Sequence, residues 1–214
     1  MANCCYPDEY GKIFSAREAE KDRKRYLAEG LRGSQAAMAD LITAQGIEGA
    51  SVLEVGGGVG ALHVDLLIRG AGSAVNVELT DVWSPAATAL LEATRMQDRV
   101  ERHSGDFVDK HADLPPADVV LLHRVVCCYP HWTAMLDAGA SKATRVIGMT
   151  FPRDTVGARL VTRTGNALLR WRHRSFQVFI HPVDAMLGRL SSSGFEMVAE
   201  RSGPIWRTVV FART

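Results

Sequence analysis

The stretch Val52-Leu53-Glu54-Val55-Gly56-Gly57-Gly58-Val59-Gly60 constrains the fold of this chain more than any other. A short apolar strand runs into glycines, and a helical pattern opens immediately at Ala61. Glycine lets the backbone turn sharply from strand to helix and leaves bare main chain for a ligand to lie against. A strand–glycine–helix unit of this kind belongs to a parallel sheet crossed by helices.

The remainder of the chain repeats the alternation. Strand patterns fall at 51–55, 74–79, 99–103, 118–122 and 144–151, with helical patterns between them at 61–69, 85–95 and 132–140. Residues 118–122 are a near-continuous apolar run, as expected of a strand covered on both faces. A helix at 155–172, a second at 183–190, and strands at 196–200 and 205–211 around Ser202-Gly203-Pro204 close the chain, the last two as a hairpin. Ahead of the sheet, Ser15-Ala16-Arg17-Glu18 has capping-box form, and Ser34 is placed to cap a second helix. The expected fold is α/β: a doubly wound, Rossmann-like, seven-stranded, mostly parallel sheet with an antiparallel C-terminal strand. N-terminal helices precede it, and a helical insertion follows the fifth strand. Residues 1–50 read as a helical cap and residues 51–214 as one globular domain.

Gly56, Gly58 and Ala61 fit the dinucleotide fingerprint G-x-G-x-x-G/A, which admits NAD or FAD. Glu54 tilts the choice, because a carboxylate two residues before the first glycine favours a cationic ligand and repels a pyrophosphate. With Gly60 the pattern becomes E-x-G-x-G-x-G, which resembles motif I of class I S-adenosylmethionine-dependent methyltransferases. Gly56, Gly57, Gly58 and Gly60 are then expected against the cofactor, beside Glu54. Glu78, 22 residues beyond Gly56, ends the second strand where an acidic side chain can accept both ribose hydroxyls, with Leu79 next to it. The resemblance implies that Asp106 takes the adenine amino group and that Phe107 packs on the ring. It also implies S-adenosyl-L-methionine as cofactor and S-adenosyl-L-homocysteine as product.

The acceptor should meet the cofactor at the carboxyl end of the fourth strand, in Leu121-Leu122-His123-Arg124-Val125-Val126-Cys127-Cys128-Tyr129-Pro130. His123 is expected to face the cofactor; Tyr129 and His131 are the candidate catalytic groups towards the acceptor. His181 is a further candidate base, because imidazole titrates near neutral pH. Arg159, Arg163 and Arg170 share one face of the 155–172 helix. They are either a solvated face or, for Arg163 and Arg170, a clamp on acceptor carboxylates. Tyr6, Tyr10 and Phe14 are placed to cover the acceptor from the N-terminal side.

The chain is further similar to the magnesium-protoporphyrin IX O-methyltransferase group. The likeness rests on Glu48-Gly49-Ala50-Ser51-Val52-Leu53, Gly60-Ala61-Leu62, Arg69-Gly70-Ala71 and Thr150-Phe151-Pro152-Arg153, with Tyr129-Pro130 in place of a His-Tyr pair. Gly-Gly-Gly-Val-Gly stands where that group has Gly-Cys-Gly-Thr-Gly. The resemblance implies O-methylation, with a porphyrin-like carboxylate as the acceptor class. S- or N-methylation of another metabolite, an NAD- or FAD-dependent oxidoreductase and a non-catalytic binding module remain as alternatives. With 25 basic and 24 acidic residues, no global field points to nucleic acid, and the expected partner is a small-molecule acceptor. No apolar run approaches the roughly 18 residues of a membrane span, and no export signal opens the chain, so the expected location is cytoplasmic. The adjacent pairs Cys4-Cys5 and Cys127-Cys128 lack the spacing of a zinc site, so no metal is expected.

Overall fold

A computed structural model describes residues 14–172 and 176–214. The chain runs through α1 (Ala16–Glu29), α2 (Gly33–Thr43), β1 (Ser51–Val55), α3 (Ala61–Ile68), β2 (Ser73–Glu78), α4 (Ser84–Thr94) and β3 (Val100–Ser104). A one-turn α5 (Phe107–Lys110), β4 (Ala117–His123), α6 (Trp132–Lys142), β5 (Ala143–Pro152) and α7 (Val156–Trp171) follow. The chain closes with α8 (Val183–Ser192), β6 (Phe195–Ser202) and β7 (Trp206–Arg213).

The seven strands lie in the order β3-β2-β1-β4-β5-β7-β6. β1 to β5 pair in parallel, and β7 is antiparallel to both β5 and β6. The hairpin therefore closes the sheet with its last strand inserted inside the first-made one. β1 pairs with β2 on one side and β4 on the other, so the strand order reverses there and a crevice opens beyond the strand ends.

The apolar run in β4 is explained by its two faces. Val120 and Leu122 pack with Met135 and Leu136 of α6 and Met186 and Leu190 of α8. Val119 and Leu121 point the other way, into a core with Met38 and Ile42 of α2 and Leu62 and Leu66 of α3. A third cluster joins Ala19 and Tyr26 of α1 to Val64 of α3 and Leu90 and Leu91 of α4, and fixes the leading helix against these two helices.

Ser15 forms the expected capping box with Glu18. Ser34 does not cap α2: the helix starts at Gly33 with Arg32 in the cap position and no side-chain cap bond. The Ser34 hydroxyl is taken instead by His123 and Arg124, a stronger set of partners than one backbone N–H. Among the described residues no helix is long and apolar enough to cross a membrane.

Gly148 in β5 leaves room for side chains of α2 against the sheet. A Cβ built there would press on Met38 and lie 3.1 Å from Ile42 Cδ1. Gly148→Val should overpack this contact and cost about 1–3 kcal/mol. Urea unfolding should show a lower midpoint with an unchanged slope; an unchanged midpoint would mean that α2 adjusts freely on the sheet.

Candidate active site

The glycine loop rests on a polar pair. Glu54, the fourth residue of β1, and His63, in the first turn of α3, are both buried, with Nδ1 of His63 2.6 Å from Oε2 of Glu54. The Asn76 amide of β2 donates to the Glu54 carbonyl at 3.2 Å. A Cβ on Gly57 would sit 2.6 Å from the Glu54 carboxylate and 2.7 Å from Asn76 Nδ2, and one on Gly60 would strike the His63 ring. Gly57 and Gly60 thus make room for side chains beneath the loop, whereas Gly56 and Gly58 face Val125 and Trp83 above it.

A cavity of about 600 Å³ opens over this loop, in the range of cofactor and ligand sites. On one side of it lie Glu54, Gly56, Gly57, Gly58, Glu78, Leu79, Asp106 and Phe107, which the fold brings together from β1, β2 and the end of β3. Gly60 is not in the lining. Glu78 is buried and accepts one hydrogen bond, from the Gly58 N–H at 3.0 Å. Burial pushes its carboxyl up to about 7, against the opposing pull of that N–H and of Arg102. A carboxylate with so little solvation and spare acceptor capacity suits a diol. Asp106 is already engaged: Oδ1 caps α5 at the Val108 N–H, and Oδ2 accepts from the Tyr129 hydroxyl at 2.9 Å. Phe107 is buried behind it.

The other side of the cavity is built by His123, Arg124 and Trp206, with Ser34 buried behind them. Arg124 follows β4 in a left-handed conformation, φ 58°, and its guanidinium lies 4.3 Å over the Trp206 ring. Nε and Nη2 of Arg124 both donate to Ser34 Oγ, at 3.1 and 2.8 Å. Ser34 Oγ in turn lies 3.0 Å from Nε2 of His123. With its lone pairs taken by Arg124, the serine hydroxyl donates to that nitrogen, which assigns the ring proton to Nδ1. Burial first, and the Arg124 charge second, lower the His123 pKa to about 3. His123 is therefore a neutral hydrogen-bond donor from Nδ1 and a feeble base. Tyr129, Cys127 and Cys128 complete this wall, and the two thiols lie 3.9 Å apart.

Several expected residues stand elsewhere. His131 is exposed at the start of α6, its ring 6.5 Å from that of Tyr129. His181 holds the chain together: Nε2 donates to the carbonyls of Val126 and Tyr129 at 3.1 and 3.0 Å, and burial lowers its pKa. Arg163 lines a separate surface pocket with Asp154, Arg159 and His181, and Arg170 is exposed on α7. The charged flank of α7 is turned away from the main cavity, so neither arginine lines it. Phe14 does line it, its ring 5.5 Å from Trp83 and 6.0 Å from Phe176. Tyr6, Tyr10, Cys4 and Cys5 lie outside the described residues.

Arg124, Ser34, Trp83 and His63 are the residues that sequence reasoning missed. Arg124 had a signal, being the first charge after the apolar run of β4. His63 had a weaker one, a polar side chain on the buried face of an otherwise apolar helix. Ser34 and Trp83 had none beyond their types.

No curated protein matches the sequence significantly. A family model described as O-methyltransferase domain matches residues 1–137. Among solved structures, the chain is similar to a magnesium protoporphyrin IX methyltransferase from Synechocystis with bound SAH, at 17% identity and TM-score 0.69, covering 97% of this chain and 94% of that one. It is also similar to an O-methyltransferase family 2 protein from Planctomyces limnophilus in complex with apigenin, at 18% identity and TM-score 0.66, over 92% of this chain and 62% of that one. At these identities the likeness to the solved structures is one of fold; the family model reaches the sequence itself, from the leading helices through the glycine loop to α6. The chain belongs to the O-methyltransferase domain family and is a class I S-adenosylmethionine-dependent methyltransferase.

Proposed function

We propose that the protein methylates an oxygen of a small-molecule carboxylate, held by Arg124 at the acceptor side of the cavity. One observation carries this reading: the histidine at the strand end is a donor, not a base. His123 has a pKa of about 3 and its Nε2 is occupied by Ser34. Asp106 is committed to Tyr129 and to the α5 N-terminus. A phenol or an amine would need a base to take its proton, whereas a carboxylate arrives ionised at neutral pH. Arg124 has no carboxylate partner among the described residues and is stacked on Trp206, so its charge is available to an anion.

S-Adenosylmethionine supplies, when bound, an electrophilic methyl sulfonium. The protein's own work is then orientation and exclusion of water. The glycine loop and Glu78 would hold the adenosyl portion, Phe107 and Leu79 would pack beside the base, and Arg124 would aim the acceptor carboxylate. We assign residues 1–50 as a cap over the 51–214 domain, with Phe14, Arg25, Tyr26 and Arg32 contributing to the cavity wall. A solved structure of this fold is named for a porphyrin substrate, which supports reading the acceptor here as porphyrin-like. A porphyrin-like carboxylate is the form closest to the Arg124 chemistry.

Glu78 gives a test with a sign. Its carboxyl is neutral below pH 7 in the free protein and ionises at a cost above it, since the folded value of about 7 lies above the ordinary 4.5. The contribution to stability is therefore full below pH 4.5 and is lost as pH rises through 7. Glu78→Gln should be more stable than the parent at pH 8, by up to about 3 kcal/mol, in chemical unfolding without ligand. The same variant should bind S-adenosylhomocysteine about 10- to 100-fold more weakly at pH 8, by calorimetry, because a charge-assisted bond to ribose is lost. Parent affinity should fall as pH drops below 7 and the variant's should not.

Arg124→Gln should raise KM for carboxylate acceptors about tenfold or more and leave the S-adenosylhomocysteine affinity within a few-fold. Equal KM values for carboxylate and neutral acceptors in the parent would sink the carboxylate assignment. Removing residues 1–14 should cut turnover about tenfold or more while cofactor affinity stays within a few-fold. Full-rate turnover by the truncated protein would remove the cap assignment.

A further inference from the structure

The helix after β5 is amphipathic with its apolar side outward. None of the residues of α7 is buried. Ala158, Thr162, Asn166 and Leu169 are the half-buried positions, spaced four, four and three apart, and they mark the face towards the body of the protein. The Asn166 amide clamps that face, donating to the Val178 carbonyl at 2.7 Å and accepting from the Val178 N–H at 3.0 Å. The opposite side presents Val156, Leu160, Val161, Leu168 and Trp171, each between 48 and 86% exposed. Ordinary surface helices are arranged the other way round.

Charge fixes the occupant. α7 contains no acidic residue. Arg159, Arg163 and Arg170 run along one flank of the apolar stripe and Arg172 stands at the other. Arg159 is paired with Asp154; Arg163, Arg170 and Arg172 have no salt bridge to a carboxylate among the described residues. A second copy docked by a two-fold contact would bring these arginines against their equivalents, at a repulsive cost. An apolar interior beneath a layer of negative charge satisfies both features at once, with the arginine stems lying along the stripe and their heads reaching up.

We propose that α7 lies in the surface of a lipid bilayer carrying anionic headgroups, with Leu160, Leu168 and Trp171 in the acyl boundary and the flanking arginines at the phosphates. The balanced charge of the whole chain does not oppose this, because the relevant field is that of one face within a Debye length of the membrane. The same helix is tied through Asn166 to Val178, which lines the main cavity, and the Phe179 N–H donates to the Cys127 carbonyl at 2.7 Å. The docked helix would thereby place the acceptor side of the cavity next to the bilayer. The docking surface itself stands independently of the acceptor assigned above.

Flotation with vesicles tests it. The full chain should float with phosphatidylcholine vesicles containing about 30% phosphatidylglycerol and bind pure phosphatidylcholine at least about tenfold more weakly. Raised salt should reverse the anionic component. The double variant Leu160→Glu, Leu168→Glu should lose at least about tenfold in vesicle binding while keeping the parent's affinity for S-adenosylhomocysteine. Should the double variant lose S-adenosylhomocysteine binding, Trp171→Ser alone is read in its place. Absence of vesicle binding by the parent, or binding that these substitutions leave unchanged, overturns the proposal. So does a parent dimer in sedimentation that the substitutions dissolve without any vesicle binding, which would give the face to a second copy.

Discussion

Beneath the glycine loop, the carboxylate of Glu54 and the imidazole of His63 share one proton-mediated contact in a volume that holds almost no solvent. The pair ties the end of β1 to the first turn of α3, the two elements whose junction defines the site. Removing one partner of such a buried pair costs about 3–5 kcal/mol, because the other is left unsolvated and unpaired. The loop above has little freedom as a result. Gly57 and Gly60 admit no Cβ over Glu54, Asn76 and His63, so two of the four glycines are demanded from below by the protein rather than from above by a ligand. The φ of 87° at Gly60, where α3 begins, agrees with that.

Glu78 follows from the same arrangement. Gly58, held in place over the pair, turns its N–H towards the Glu78 carboxylate, and Arg102 reaches the Gly58 carbonyl from the other side at 3.4 Å. One Arg102 nitrogen is left buried without a hydrogen-bond partner among the described residues. The cavity therefore keeps a Glu78 carboxyl with a raised pKa, which costs stability in the free protein, and an incompletely satisfied guanidinium lies buried beneath it. Polar groups left short of partners in a cavity are what a polar ligand completes, and binding recovers part of that cost.

The sheet and its helices were legible because their signals are local. Periodicity separated β4 from its neighbouring helices, and the capping box at Ser15 placed the start of α1. Element boundaries in the structure fall within two residues of the sequence reading along most of the chain. One wall of the cavity was also legible, since Glu78, Asp106 and Phe107 line it from strand ends set by that same periodicity. Glu54 shows the limit. The sequence offers only a ligand beside its charge, and the structure also places a histidine nine residues later against it. Ser34 likewise reads as a helix cap because sequence offers only its nearest backbone as partner. Its partners are 89 and 90 residues away. Side-chain pairings at that separation depend on packing of α2 onto the sheet, and no local pattern carries them.

Arg124 gathers these long-range constraints into one residue. A left-handed backbone at a bulky side chain is strained, of the order of 1–3 kcal/mol, and persists only where its surroundings over-determine it. Three contacts do so here. Its N–H donates to the Thr150 carbonyl of β5 at 3.0 Å, its guanidinium binds Ser34 of α2, and the ring of Trp206 at the start of β7 supports it. Trp206 reaches that position because β7 inserts beside β5 instead of adding at the sheet edge. The closing hairpin is thus more than an edge to the fold. Its antiparallel strand carries the aromatic platform that holds the Arg124 guanidinium in a conformation it would not adopt alone, so the cavity wall across from the glycine loop depends on the last strand of the sheet as much as the loop depends on the first.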